Sequence, residues 1–381
     1  MSILSALHLS RAPVAAFTAV GLTWGCFAAM APVLKARIGV DDATFGLMLL
    51  GTAIGLSTTL YVAPRWDRRM GRWALPAGTV LLAAAATLPG VAVTAPVLFV
   101  VLMVMGGVSG LTDVVMNARV SQVEAKSGFS LMNVNHAMFS VAYMTSALLT
   151  GAMREAGLRA EAIFPVIAIL ILATAFFQMM EVDAPEPHDP ADPARLPISL
   201  VAICGLIVLI AFMAEATVES WSALHIERTL GGGAAEGAFG PAMLGLTMAI
   251  GRFSGQVVAA RMSELSVIRI AAALAIVGVL IVAVAPSPAV AYAGFGLMGL
   301  GISVIGPMGM ALVGRLAPRR VRTAVIARVA IIGFLGFFVA PAAMGLGAEA
   351  FGLRWAFACV AILLMVLWPL SYSAPVTPTR P

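Results

Sequence analysis

Charge is scarce in this sequence. Among 381 residues, Asp, Glu, Lys and Arg together make up 11%, where a soluble domain carries about 25%. Cysteine is scarcer still. Cys26, Cys204 and Cys359 sit in three separate apolar runs. An odd number without paired spacing supplies neither a disulfide framework nor a metal clip. No Gly-x4-Gly-Lys-Ser/Thr stretch occurs, so ATP drive by this chain alone is excluded and no cofactor is expected. The longest polar stretch runs only from Glu181 to Pro197. That leaves no room for a soluble domain. It also argues against a membrane enzyme, such as an acyl or glycosyl transferase, which needs clustered catalytic His or Asp, usually with a large loop.

What the chain has instead is apolar length. It is 61% hydrophobic with a mean hydropathy of +1.01, and the apolar residues fall in runs of the ~20 residues that cross a bilayer. The pattern predicts twelve spans, at approximately 13–34, 43–63, 74–94, 97–119, 131–152, 161–180, 198–222, 237–258, 268–286, 288–314, 323–347 and 353–372. The breaks at 95–96 and 287 carry the faintest signals. The run after Arg11 is too long for a signal-peptide core, so the first span is expected to be retained. The net charge of +5 does not point to nucleic acid, because Lys and Arg are scattered over short loops rather than gathered on one face.

Those basic residues predict the orientation. With the N-terminus inside, fifteen fall on inner segments: Arg11, Arg65, Arg68, Arg69, Arg72, Arg119, Lys126, Arg195, Arg261, Arg269, Arg315, Arg319, Arg320, Arg322 and Arg380. Six fall outside: Lys35, Arg37, Arg154, Arg159, Arg228 and Arg354. Both termini are therefore expected in the cytoplasm of a cell whose inner membrane holds the chain. The stretch 181–197, with five Pro and five acids, reads as an extended linker. It divides the chain into a bundle over 1–180 and a bundle over 198–381.

The two bundles look like copies. A shift of 194 residues carries Phe45-Gly46 onto Phe239-Gly240, Leu50-Gly51 onto Leu244-Gly245, Gly107 and Ser109 onto Gly301 and Ser303, and Gly151 onto Gly345. Six spans per copy is an even number, so both copies enter from the same side and the repeats are parallel. The expected fold is all-α, with twelve transmembrane helices in two six-helix bundles.

Several motifs carry a resemblance. Asp67-Arg68-Arg69-Met70-Gly71-Arg72 follows span 2, Gly106-Gly107-x-x-Gly110-x-x-Asp113-Val-x-Met116-Asn117 lies on span 4, and Asn135-His136 precedes Ser140 on span 5. Glu215-x5-Trp221-Ser222-Ala223-Leu224 and Gly333-x-x-Gly336-Phe337 with Pro341 mark spans 7 and 11. With the layout, these resemble the major facilitator superfamily, in particular its MosC-like and YbjJ-like bacterial branch, near copper-import and riboflavin-import relatives. The resemblance implies a monomeric secondary transporter working by alternating access, with a gate formed around Asp67, Arg68 and Arg69.

Ionisable residues inside a membrane are functional candidates, and here they are few: Asp113, His136, Glu215, Glu219, Arg252 and Arg328. Ser109, Asp113 and Asn117 share one face of span 4. Asp113 either takes up a proton or pairs with an arginine of loop 2–3 or with Arg328 to lock a gate. Asn133, His136, Ser140 and Tyr143 form a stripe on span 5 that faces a watery cavity or bonds neighbouring helices. Glu215 is the first candidate for proton coupling or substrate binding; Glu219 reads as a residue at the outer rim. Arg252 and Arg328 lie towards the inner ends of their spans, suited to snorkelling or gating. The substrate site is expected to be built from Trp24, Asn133, His136, Ser140, Tyr143, Glu215, Trp221 and Phe337. No metal site is expected; Met132 and His136 share a face and are the pair a copper reading would use. The function expected is proton-coupled uptake (symport) of a small polar organic solute, sugar-like or a vitamin such as a flavin. Efflux of drugs or metabolites and copper uptake are the alternatives.

Overall fold

The computed structural model describes residues 3–181, 197–259, 261–318 and 321–374. The described residues are helical with no strand. A short α1 (Ile3–Leu9) precedes twelve spans: α2 (Arg11–Ile38), α3 (Asp42–Met70), α4 (Ala74–Thr87), α5 (Ala95–Ser127), α6 (Met132–Glu155), α7 (Ala160–Thr174), α8 (Ile198–Leu224), α9 (Ala234–Ala259), α10 (Glu264–Val284), α11 (Pro288–Leu316), α12 (Arg322–Phe351), and a last span made of α13 (Leu353–Met365) and α14 (Leu367–Ser373). Every expected span is occupied. The linker residues 182–196, together with Arg319, Arg320 and Arg380 of the basic tally, lie outside the described residues.

The breaks have local causes. Gly39 adopts φ 66° and ends α2, a conformation that costs glycine little. Asp41 caps α3, its Oδ1 accepting from Thr44 N–H at 2.6 Å, and this bond holds the Asp41 carboxyl below its ordinary range. The two faint breaks are set by proline: Pro96 and Pro288 open α5 and α11, positions where the missing N–H has no helical partner to lose.

The exterior is apolar. Phe176 is 83% exposed, Phe351 71% and Ile169 66%, a surface suited to lipid rather than water. By length and composition, nine described helical stretches are apolar enough to cross a membrane. The chain is a multi-pass membrane protein. The polar helices α6 and α9 fall outside those nine: α6 carries Asn133, Asn135, His136 and Ser140, and α9 carries Arg252 among glycines.

The 194-residue offset relates α2 through α7 to α8 through α14 helix by helix. Within the first bundle α3 packs on α5, and within the second α9 packs on α11. The bundles meet at two seams, α3 with α12 and α6 with α9, which the same offset exchanges. A Cβ on Gly345 would stand 2.5 Å from the Asp42 carbonyl oxygen, and one on its counterpart Gly151 would collide with the Ala238 side chain. Both seams therefore need a bare backbone at that level.

Candidate functional site

A cavity of about 210 Å³ lies between the bundles. The first bundle contributes Trp24 and Phe27 from α2, Ser109 and Asp113 from α5, and Phe139 and Tyr143 from α6. The second contributes Glu215 and Glu219 from α8, and Phe334 and Phe337 from α12. The spacing of these residues explains the convergence: Ser109 and Asp113 are four apart, as are Phe139 and Tyr143, and Glu215 and Glu219, so each pair shares a helix face.

Polar contacts lock this wall. Trp24 Nε1 donates to Ser109 Oγ at 2.9 Å, which fixes the indole on the wall. Asn117 Nδ2 donates to Asp113 Oδ1 at 3.2 Å. Arg252, on α9, reaches across the boundary between the bundles. Its Nη1 donates to Ser140 Oγ at 2.6 Å and to the His136 carbonyl at 3.2 Å, and its Nη2 donates to Glu215 Oε1 at 3.2 Å. The two side chains of this ion pair are only 13% and 9% exposed, and the guanidinium also lies 6.0 Å from the centre of the Phe139 ring. A pair so sheltered from water exists because each charge neutralises the other. The Tyr143 hydroxyl, by contrast, is buried with no hydrogen-bond partner.

At the face away from the chain termini, the bundles are joined by charge. Arg154 at the end of α6 makes a bidentate bond to Glu227, Nη1 to Oε1 at 2.7 Å and Nη2 to Oε2 at 2.9 Å. Asp42 takes Lys35 at 2.9 Å and also Arg228, while its backbone N–H donates to Glu349 at 3.0 Å. Glu227 and Arg228 lie on a π-helical turn, His225–Thr229, that extends α8. At the termini face two ion pairs each join residues of one bundle: Asp67 with Arg119, and Glu264 with Arg315 at 2.9 Å.

The sequence comparisons agree with this architecture. Residues 14–305 and 204–381 match the Major Facilitator Superfamily. The chain belongs to the major facilitator superfamily. It is 30% identical over 359 residues to an uncharacterized MFS-type transporter of Yersinia pestis, covering 92% of each chain. It is 25% identical to the membrane protein MosC of Rhizobium meliloti, over 87% of this chain and 82% of that one. The fold is similar to a bacterial homolog of the human lysosomal transporter Spinster in an inward-facing and occupied conformation (TM-score 0.77, 15% identity, 96% of both chains). It is also similar to a mutant of the nucleoside transporter NupG (TM-score 0.76, 10% identity, 96% of this chain and 100% of that one). This facilitator is thus a transporter that works by alternating access, not an enzyme.

Of the residues expected at the facilitator's substrate site, Trp24, Tyr143, Glu215 and Phe337 line the cavity. Ser140 stands behind its wall, bonded to Arg252. Trp221 is a correction: it is fully buried and packs edge-on against Phe45 at 5.9 Å, because its position on α8 turns it into the α3 interface. His136 and Asn133 also lie outside the lining; the His136 ring packs edge-on against Phe17 at 4.7 Å. Among the described residues no cluster of three His, Cys, Asp or Glu could hold a metal ion, and His136 next to Met132 is not completed by such a group.

The gate differs in partners from the expectation. Asp113 bonds Asn117 rather than an arginine, while Arg68, Arg69 and Arg328 are exposed. Asp67 is held instead by Arg119, which is 1% exposed and which the sequence reading had counted only as a topology charge. Arg252 does not snorkel, since Glu215 and Ser140 engage it. Glu219, expected at the outer rim, lines the cavity. Arg154, Glu227 and Asp42 escaped notice because a charge at a span end looks the same in sequence whether it meets water or a partner bundle.

Proposed function

We propose that this facilitator imports a small polar organic solute together with protons across the bacterial inner membrane, with both termini in the cytoplasm. The bundles 1–180 and 198–381 rock about the central cavity, joined by the linker 181–197. The observation that carries this reading is the Arg252 bridge, which bonds Glu215 on one bundle and Ser140 on the other beside the cavity.

The coupling follows from charge. With Glu215 ionised, Arg252 is shared between α8 and α6. A proton on Glu215 removes the charge that holds Arg252 from the α8 side, and the bridge can relax as the bundles turn. Asp113, with Asn117 as its neighbour, is a second carboxylate beside the path. The cavity volume, below the ~300–1,000 Å³ of drug-sized pockets, supports a small solute. The closure at the face opposite the termini supports a cavity that communicates with the cytoplasm in this state.

Vesicles bearing the protein test the reading. An inward-directed proton gradient should drive uphill solute accumulation, and Glu215→Gln should abolish uphill accumulation while exchange without a gradient persists. Loss of both activities would make Glu215 a binding group only. Proton-driven extrusion instead of accumulation would replace import by efflux.

A further inference from the structure

The charges around the cavity do not cancel. Three carboxylates line it, Asp113, Glu215 and Glu219, and no lysine or arginine is among the described lining residues. Arg252, just behind the wall, bonds Glu215. Asp113 has Asn117. Glu219, one helical turn beyond Glu215, makes no hydrogen bond or ion pair among the described residues. Glu219 is half-buried beside Glu215, and the single guanidinium of Arg252 serves both carboxylates, so a further positive charge is favoured there.

An independent feature points to the same spot. Tyr143 is 2% exposed and lies on the cavity wall, within electrostatic reach of Glu215 and Glu219, yet its hydroxyl has no hydrogen-bond partner among the described residues. A buried hydroxyl without a bond loses free energy that a ligand donor restores. The wall also carries the rings of Trp24, Phe27, Phe139, Phe334 and Phe337, beside aliphatic side chains and the hydroxyls of Thr52, Ser109 and Ser220. Aromatic faces attract cations, more so when water is excluded.

We propose that the cavity takes a small organic cation, a protonated amine, with Glu219 as its counter-ion, Tyr143 Oη accepting an ammonium N–H, and the Trp24 and Phe337 rings enclosing its carbon skeleton. The inference rests on the transport reading above and adds the charge of the cargo. Glu219 sits beside the Glu215–Arg252 pair, so an ammonium bound there repels Arg252. Loading the cargo and loosening the bridge between the bundles are then linked events.

The test compares matched ligands that differ in charge. Binding of glucosamine, glucose and glucuronate, and of 2-phenylethylamine, 2-phenylethanol and phenylacetate, is measured on the purified full chain in nanodiscs by tryptophan fluorescence and thermal stabilisation. At least one amine should bind ten-fold or more tighter than its neutral and acidic analogues. Glu219→Gln should remove that preference while the unliganded melting temperature stays within a few degrees, and Glu264→Gln, which removes a carboxylate outside the cavity, should keep it. The proposal is overturned if neither amine binds, if a neutral or acidic analogue binds as tightly, or if the preference survives Glu219→Gln or is lost in Glu264→Gln. Proton-driven uptake of glucose in vesicles would overturn the cation but leave the transport reading standing. Absence of any flux despite amine binding would count against transport and not against the site.

Discussion

At the α3/α12 seam the bundles meet backbone to backbone, with Gly46 close to the Pro341 carbonyl and to Gly345. At the α6/α9 seam Gly151 presses on Ala238 in the equivalent way, but further along the seam Arg252 crosses to Ser140 while also bonding Glu215 of its own bundle. The internal repeat makes these seams counterparts, and the charge makes them different. The α3/α12 seam carries a charged bond only at its end away from the termini, from the Asp42 N–H to Glu349, and beside the cavity it meets through small and apolar residues. The α6/α9 seam adds a bond whose strength, under the proposed coupling, depends on a proton and, by our inference, on a cargo. On that reading function is grafted onto one of two equivalent contacts, so a symmetric frame can carry an asymmetric reaction.

The largest effect should come from removing the charge. Arg252→Ala leaves Glu215 buried without compensation, a defect that typically costs about 3–5 kcal/mol. Uptake should fall by at least about 100-fold (about 2.8 kcal/mol on the tenfold-per-1.4 kcal/mol scale), and the melting temperature should drop. The double variant Arg252→Met with Glu215→Leu should recover the melting temperature and not the uptake. If uptake returned with stability, the bridge would be structural and the contrast between the seams would vanish.

The glycine seams come next. Gly345→Leu places a side chain against the Asp42 carbonyl, and Gly151→Leu places one against Ala238. Each should hold its seam apart at the face opposite the termini and cut uptake about ten-fold or more, an overpacking cost of roughly 1–3 kcal/mol. Cysteine-labelling at that face reports whether it has opened. Equal effects at the two positions support seams that are equivalent in packing; an effect at only one would show that a single seam closes.

The bidentate pair at that face should matter less. Arg154→Gln should shift the balance of open and closed states by about 1–2 kcal/mol, since the Arg154 and Glu227 side chains are only 7% and 17% exposed and the glutamine amide keeps one hydrogen bond to the carboxylate, seen as a rise of about ten-fold in labelling of the same cysteines. The smallest effect is expected from Glu264→Gln. Its partner Arg315 is 45% exposed and on the same bundle, so stability and uptake should change by less than about 0.5 kcal/mol. A larger loss would mean that the termini face, too, holds the bundles together.

Some of these contrasts could be read before any coordinates. Gly151 and Gly345 are matched by a fixed offset, and Asp113 and Glu215 stand out because ionisable residues are rare in apolar runs. The Arg252 bridge could not be read in this way. Arg252 and Ser140 are separated by 112 residues, and nothing in either span announces the other. Trp221 shows the converse failure: a residue three positions along a helix from Val218 and two from Glu219 can face another helix entirely, and the choice depends on rotation of α8 against α3. Arg119 reads as a loop charge when span 4 ends at residue 119; α5 runs on to Ser127, so Arg119 lies on a helix face, buried and bonded to Asp67.

Periodicity, hydropathy and the repeat sufficed for the number of spans, the parallel arrangement of two bundles and the membrane setting. These depend on properties that accumulate along the chain, namely the cost of backbone groups in lipid and the length of a bilayer-crossing helix. The pairing of charges, the orphaned Tyr143 hydroxyl and the place of Glu219 in the wall depend on helix rotation and approach across the two seams. A difference of one residue in register turns a side chain by about 100°, so packing between helices distant in sequence settles which few polar groups share the cavity.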